Sequence, residues 1–299
     1  KPDVCYCAIP SLDVGNAVAQ YCKSYGVRFI IDIQDLWPEA FKMVFNIPVI
    51  SNILFAPMKR MADNIYSCAD EVVAVSKTYA ERAMAVNNKC KESTVVYLGT
   101  EKESFDRYAQ LIEEKRDFLT IVYVGSMSVS YDLVSVIDAI SQINSREKIK
   151  FLAMGDGALR KKFIEYAKEK NVIAEFPGRL PYPQMIQQLN LCDIAVNPIH
   201  KGSAGSIINK VGDYAMAGLP VVNTQECEEY RELLDEYEAG INCEGEDANQ
   251  IALALQRLIE DIDLRKAMSI NSRKLGLDCF DRKNSYNAIV NELAKCGGG

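Results

Sequence analysis

Residues 202–224 read GSAGSIINKVGDYAMAGLPVVNT. A short Gly/Ser/Ala loop leads into Ser206, a favoured helix N-cap, and apolar side chains then recur at Ile207, Val211 and Tyr214. This spacing predicts a short amphipathic helix that begins at Ser206. Gly218 supplies a left-handed end, Pro220 forbids continuation, and PVVNT reads as a buried strand. Away from the apolar stripe stand Ser206, Lys210 and Asp213. A helix start with small residues around it offers free N–H groups to an anion, and a nearby lysine strengthens that preference. A carboxylate one turn on accepts hydrogen bonds from vicinal hydroxyls. Phosphate above and a sugar diol beside it describe a nucleotide; an ordinary capped helix with a solvated Lys210–Asp213 pair is the alternative.

Working backwards from that stretch, strands and helices alternate. Residues 118–124 form a strand, 132–143 a helix with Val136, Ile137, Ile140 and Ile143 on one stripe, and 149–154 a strand ending in Gly155-Asp156-Gly157. A helix at 159–170, a strand at 173–176 closing on Pro177-Gly178-Arg179-Leu180, a helix at 182–191 and a strand at 193–198 complete the series. This is a doubly wound parallel α/β unit, whose strand-end loops share one rim where ligands gather. Further back, strands at 4–9, 28–33, 71–76 and 93–98 alternate with helices and make a first such unit. The charged stretch 101–117 lacks an apolar period and reads as the linker. The expected domains are therefore 1–112, 113–279 and a last helix at 280–299 that crosses back to the first domain.

A chain of 299 residues, 48% hydrophobic and 25% charged, is comfortable for two soluble domains. Its net charge of −7 argues against nucleic acid as a partner. The ten cysteines form no C-x-x-C pair, and His200 is the single histidine. Reduced thiols in a cytoplasmic setting, without a metal site, are expected. The longest uncharged run, 43–58, is too short to span a bilayer and holds Pro48 and Pro57. The surrounding stretch 41–68, rich in Phe, Met and Ile with Lys42, Lys59 and Arg60 at its edges, suits either an internal helix or a surface resting on a membrane interface.

Several of these motifs together carry a resemblance: 206–222, the glycine turn YVGSMSVSYDL at 123–133, MGDG at 154–157, FPGRLP at 176–181, and a strand followed by DLWPE at 35–39. In their order along the chain they resemble the family 4 glycosyltransferases of GT-B fold, especially bacterial capsule and exopolysaccharide enzymes. The resemblance implies two Rossmann-like domains and retaining transfer of a sugar from a nucleotide-diphosphate donor to a glycan or lipid-linked glycan, with no metal or other cofactor. It implies a cytoplasmic enzyme of polysaccharide biosynthesis, peripheral on the inner face of the membrane if the 41–68 surface serves as its contact. Asp213 would hold the ribose, Lys210 and the amides of Gly205, Ser206 and Ile207 the diphosphate, and Gly178, Arg179 and Leu180 the nucleobase. Gly125, Ser126, Ser128, Tyr131 and Gly155 complete the donor-binding set, while Asp35 and Glu39 are candidates on the acceptor side.

Two departures stand out. A glutamate that touches the donor sugar in that family is replaced by Gly205, and an Arg and a Lys of the glycine turn are matched by Ser126 and Tyr131. Charge compensation then falls to Lys210 and backbone amides. The chain begins at Lys1-Pro2-Asp3, directly ahead of a strand, so the first domain is expected to be incomplete and the chain weak in transfer by itself. A non-catalytic nucleotide-sugar-binding subunit completed by a second polypeptide, and a sugar-nucleotide epimerase of the same fold, are the competing readings.

Overall fold

The structure, a computed structural model, describes residues 1–39, 50–110, 117–203 and 206–296. Part of the apolar stretch at 41–68, part of the charged stretch at 101–117, and Gly205 lie outside the described residues. The chain divides into two compact units, 1–98 with 205–207 and 283–299, and 99–204 with 208–282.

The first unit is built on four parallel strands in the order β1-β2-β3-β4: Val4–Ala8, Arg28–Ile33, Glu71–Ala74 and Thr94–Val95. β2 is buried almost throughout, as a central parallel strand covered on both faces must be. On one face Ile31 and Ile33 pack with Leu12, Ala19, Ala62, Ile65 and Tyr66 from the helices Leu12–Tyr25 and Ala56–Cys68. On the other, Ile30, Val73 and Val96 meet Ala288, Ile289 and Leu293 of the last helix, Arg282–Cys296.

The second unit is a six-stranded parallel sheet: β5 (Leu119–Val124), β6 (Ile149–Met154), β7 (Ala174–Gly178), β8 (Ile194–Asn197), β9 (Val221–Asn223) and β10 (Gly240–Asn242). Their order is β10-β9-β8-β5-β6-β7. The chain winds outward from β5 to β7, returns to β8, and winds the other way, so the topology reverses between β5 and β8. In open α/β sheets a ligand crevice lies at that reversal, outside the carboxyl ends of the strands. The core beneath it joins Ile121, Tyr123, Phe151, Ile194 and Val196 to Val136, Ile137 and Ile140 of the helix Leu133–Gln142 and to Leu255 and Leu258 of Ala248–Glu260.

Two readings of the sequence are corrected here. The units part between Leu98 and Gly99, and the stretch read as a linker carries a helix, Lys102–Tyr108, within the second unit. One side chain anchors it: Phe105 is 1% exposed, and Asp106 bonds Arg273 at 2.6 Å. A single buried aromatic makes no period, so the pattern concealed it. The other correction concerns the helix after the glycine loop, which runs Lys210–Met216 with Asn209 at its N-cap and does not begin at Ser206. The adjacent β-branched Ile207 and Ile208 favour extended backbone, and Ile207 is buried outside the helix, grouped with the first unit.

Tight backbone contacts hold the rim of the second unit. Gly125 and Gly155 have φ of +148° and +141°, a region L side chains rarely adopt. A Cβ at Gly155 would lie 1.8 Å from the Gly125 carbonyl oxygen. Gly155→Ala should therefore lower unfolding stability by about 2 to 4 kcal/mol, measured by denaturant titration. A loss below about 0.5 kcal/mol would show that the two turns can part.

Candidate functional site

The strands β5, β6 and β7 end in glycine turns whose backbones bond one another. Gly125 N–H donates to the Met154 carbonyl at 2.9 Å, Met127 N–H to that of Asp156 at 2.9 Å, and Gly155 N–H to that of Gly178 at 2.9 Å. Above them opens a cavity of about 460 Å³, within the range of small-molecule sites. Of the residues expected from sequence it brings together Gly125, Ser126, Gly155, Arg179 and Leu180. Gly178 sits just behind, its carbonyl held by Gly155. Met154 and Asp156 of the MGDG turn also line the cavity, as do Tyr182 and Met185, which the sequence did not single out.

The helix Lys210–Met216 is anchored at the topological reversal by Tyr214, which is 0% exposed. Its hydroxyl accepts the Val124 N–H at 2.7 Å and lies 3.4 Å from the Val196 carbonyl, so one side chain ties the helix to β5 and β8. Gly276 allows the close approach behind it, where a Cβ would lie 2.9 Å from the Ala215 carbonyl carbon.

Lys210, expected on an open face, has its Nζ buried without a hydrogen-bond partner. The stem of the side chain remains partly exposed. Nζ lies 4.1 Å from the centre of the Tyr123 ring and 4.2 Å from that of Tyr131. It is also 3.4 Å from where a Cβ on Gly125 would sit. Each ring face returns about 0.5 to 2 kcal/mol to an ammonium, whereas removing that ion from water costs several kcal/mol. Desolvation wins, and pushes the lysine well below its ordinary value. The arrangement holds an amine beside a glycine turn with no anion facing it, and an anion arriving there would favour its charged form.

Asp213 does not pair with Lys210. Its Oδ1 accepts the Thr100 hydroxyl at 2.7 Å and the Tyr182 hydroxyl at 2.8 Å. Burial raises its carboxyl above the usual carboxylate range, opposed by those two hydrogen bonds and by the Arg282 charge. Tyr182 also lines the cavity, so the phenol connects its wall to the carboxylate.

The remaining expected residues divide. Tyr131 stands over Lys210, and its backbone bridges to Ile199 in the loop after β8. Ser128 closes the turn below by accepting the Tyr131 N–H at 3.2 Å. Ser206 and Ile207 group with the first unit and are not the free amides of a helix start. In the first unit Glu39 accepts the Arg82 Nε at 2.7 Å, while Arg82 also holds Asp63 at 2.6 Å; Asp35 is exposed. Glu39 thus belongs to an ion-pair network. Among the described residues no group of three or more His, Cys, Asp or Glu side chains is arranged to hold a metal, and the described cysteines are free thiols. No helix of the described residues is long and apolar enough to cross a membrane.

Residues 119–261 match the family described as glycosyl transferases group 1. The matched residues lie in the second unit. No curated protein matches the chain significantly. Among solved structures, HepE from Anabaena in complex with UDP is similar with a TM-score of 0.77 and 16% identity, over 98% of this chain and 79% of its own. Sucrose-phosphate synthase from Thermosynechococcus elongatus gives 0.76 and 15%, over 98% and 73%. A glycosyltransferase from Rickettsia africae gives 0.67 and 16%, over 96% and 82%. At such identity these likenesses establish the fold.

The Lys210 burial has a measurable cost. Between its lowered value and the ordinary lysine value the unfolded chain binds one more proton at this position than the folded chain, so stability rises with pH across that window. Lys210→Met should remove that rise and, at neutral pH, stabilise the ligand-free protein by about 1 to 3 kcal/mol. Thermal melts from pH 7 to 10 check this; a melting temperature lowered by several degrees at pH 7 would contradict it.

Proposed function

We propose that this chain moves a sugar from a nucleotide-diphosphate donor to a hydroxyl of a glycan or lipid-linked glycan. The observation that carries the reading is the buried, unpartnered Lys210 Nζ beside the Gly125 turn, in a stretch that matches glycosyl transferases group 1. The donor's diphosphate takes the place against Gly125 and Lys210, the nucleobase enters the cavity by Arg179 and Leu180, and Asp213 takes the ribose hydroxyls. Thr100 and Tyr182 already present two hydroxyls to that carboxylate, much as a diol does. In the reaction the bond from the anomeric carbon to the diphosphate breaks and the acceptor oxygen bonds that carbon. The acceptor proton passes to the leaving diphosphate, whose charge is stabilised by Lys210 and preorganised amides.

Retention at the anomeric carbon, independence of metal and a place in capsule or exopolysaccharide synthesis are part of the same proposal and rest on the motif resemblance. HepE, known in complexes with UDP and with UDP-glucose, makes uridine the first base to test. Peripheral attachment to the inner face of a membrane is supported by Ile53 and Leu54, 72% and 60% exposed close to Lys59 and Arg60.

Calorimetry against a panel of nucleoside diphosphates and their sugars tests the reading. At least one diphosphate should bind, with the bare nucleoside far weaker, and Lys210→Ala should cost about tenfold to a hundredfold in affinity, the scale of a charge-assisted hydrogen bond of about 1.5 to 3 kcal/mol. Asp213→Ala should weaken ribose-containing ligands and leave bare pyrophosphate nearly unchanged. Failure of the wild-type chain to bind any nucleoside diphosphate would overturn the proposal. For transfer itself, the rate should be insensitive to EDTA, and a requirement for a divalent cation would remove metal independence.

A further inference from the structure

A second feature of the same site concerns Tyr131, and it rests on the donor reading above. Three backbone constraints fix this residue. Its N–H bonds the Ser128 carbonyl, its backbone bridges to Ile199, and the next residue, Asp132, donates its N–H to the Pro198 carbonyl at 3.1 Å while its side chain caps the helix Leu133–Gln142 through the Ser135 N–H at 3.0 Å. Tyr131 is thereby held where β5 and β8 diverge, its ring centre 5.7 Å from that of Tyr123 in an edge arrangement. The Lys210 Nζ lies close to both rings.

We propose that Tyr131, together with Tyr123, is a positioning residue that holds the Lys210 ammonium for the donor's diphosphate. A carboxylate at this place would fix the lysine by neutralising it, and the diphosphate would then have to break an ion pair. An aromatic face attracts the cation through its quadrupole and leaves the charge unspent. A second cation at this place would repel Lys210 when the diphosphate is absent. The tyrosine instead confines the long side chain, which otherwise loses rotamer freedom when it meets a ligand. The other titratable groups near the helix do not compete. Tyr214 is bonded to β5, and Asp213 to Thr100 and Tyr182.

The test compares Tyr131→Phe with Tyr131→Leu in the full chain, using uridine diphosphate or whichever nucleoside diphosphate of the panel the wild type binds. The Phe variant should bind within about twofold of wild type, and the Leu variant about tenfold more weakly, the size of a desolvated cation–π contact. A packing role alone would be served by leucine. Independently of any ligand, NMR of selectively labelled lysine should show the Lys210 ε-methylene protons shifted upfield by the two rings in wild type and Tyr131→Phe. The wild-type shift can be read even where no variant folds. Unshifted Lys210 protons in the wild type, or equal affinities of the Leu and Phe variants, would overturn the proposal while leaving donor binding intact. Absence of binding by the wild type to every diphosphate of the panel would overturn the donor reading and this inference with it.

Discussion

An ammonium taken out of water with nothing to accept its hydrogen bonds is among the costliest groups a fold can carry. In the second unit that group is Lys210, and the surrounding architecture explains how it is kept there. Tyr214 pins the short helix to the sheet, Tyr123 and Tyr131 supply the only partial compensation seen among the described residues, and the bare Gly125 turn lets Nζ come within 3.4 Å of where a Cβ would sit. Each of these is local, and each faces the reversal of strand order between β5 and β8. Perturbed titratable groups in clefts mark sites where a fold accepts instability in exchange for chemistry.

The glycines of the rim serve the same end by a different route. Gly125, Gly155 and Gly178 all have positive φ, and their turns bond one another through main-chain groups, which draws three strand ends together and leaves a shallow cavity above. A Cβ at Gly155 would collide with the Gly125 carbonyl and force those two turns apart. The rim is thus built from backbone, and Ser126, Asp156, Arg179, Leu180 and Tyr182 are among the residues that line the cavity beside it.

Much of this was legible in the sequence. Strands closing on glycine gave the parallel alternation and the position of the rim, and Gly218, at φ +66°, ends its helix as the Gly-Leu-Pro run predicts. Lys210 and Asp213 were singled out from the sequence as an open-faced pair, and the structure orients them otherwise. The spacing places both on one helix, yet it cannot reveal that Tyr123 and Tyr131 enclose the lysine or that Thr100 and Tyr182 meet the carboxylate, because those contacts join segments distant in sequence. The helix start was misplaced for a different reason: Ser206 has good capping chemistry, but the β-branched pair after it and the burial of Ile207 prevail. Glu39, attractive at a strand end, is engaged by Arg82 from a later helix.

The most direct measurement is a crystal structure of the chain grown with the nucleoside diphosphate that it binds best. The account requires a phosphate oxygen within hydrogen-bonding distance of the Lys210 Nζ, beside the Gly125 turn, with the base in the cavity by Leu180. A nucleotide bound elsewhere, with Lys210 still enclosed by the two tyrosine rings and without an anion, would contradict it.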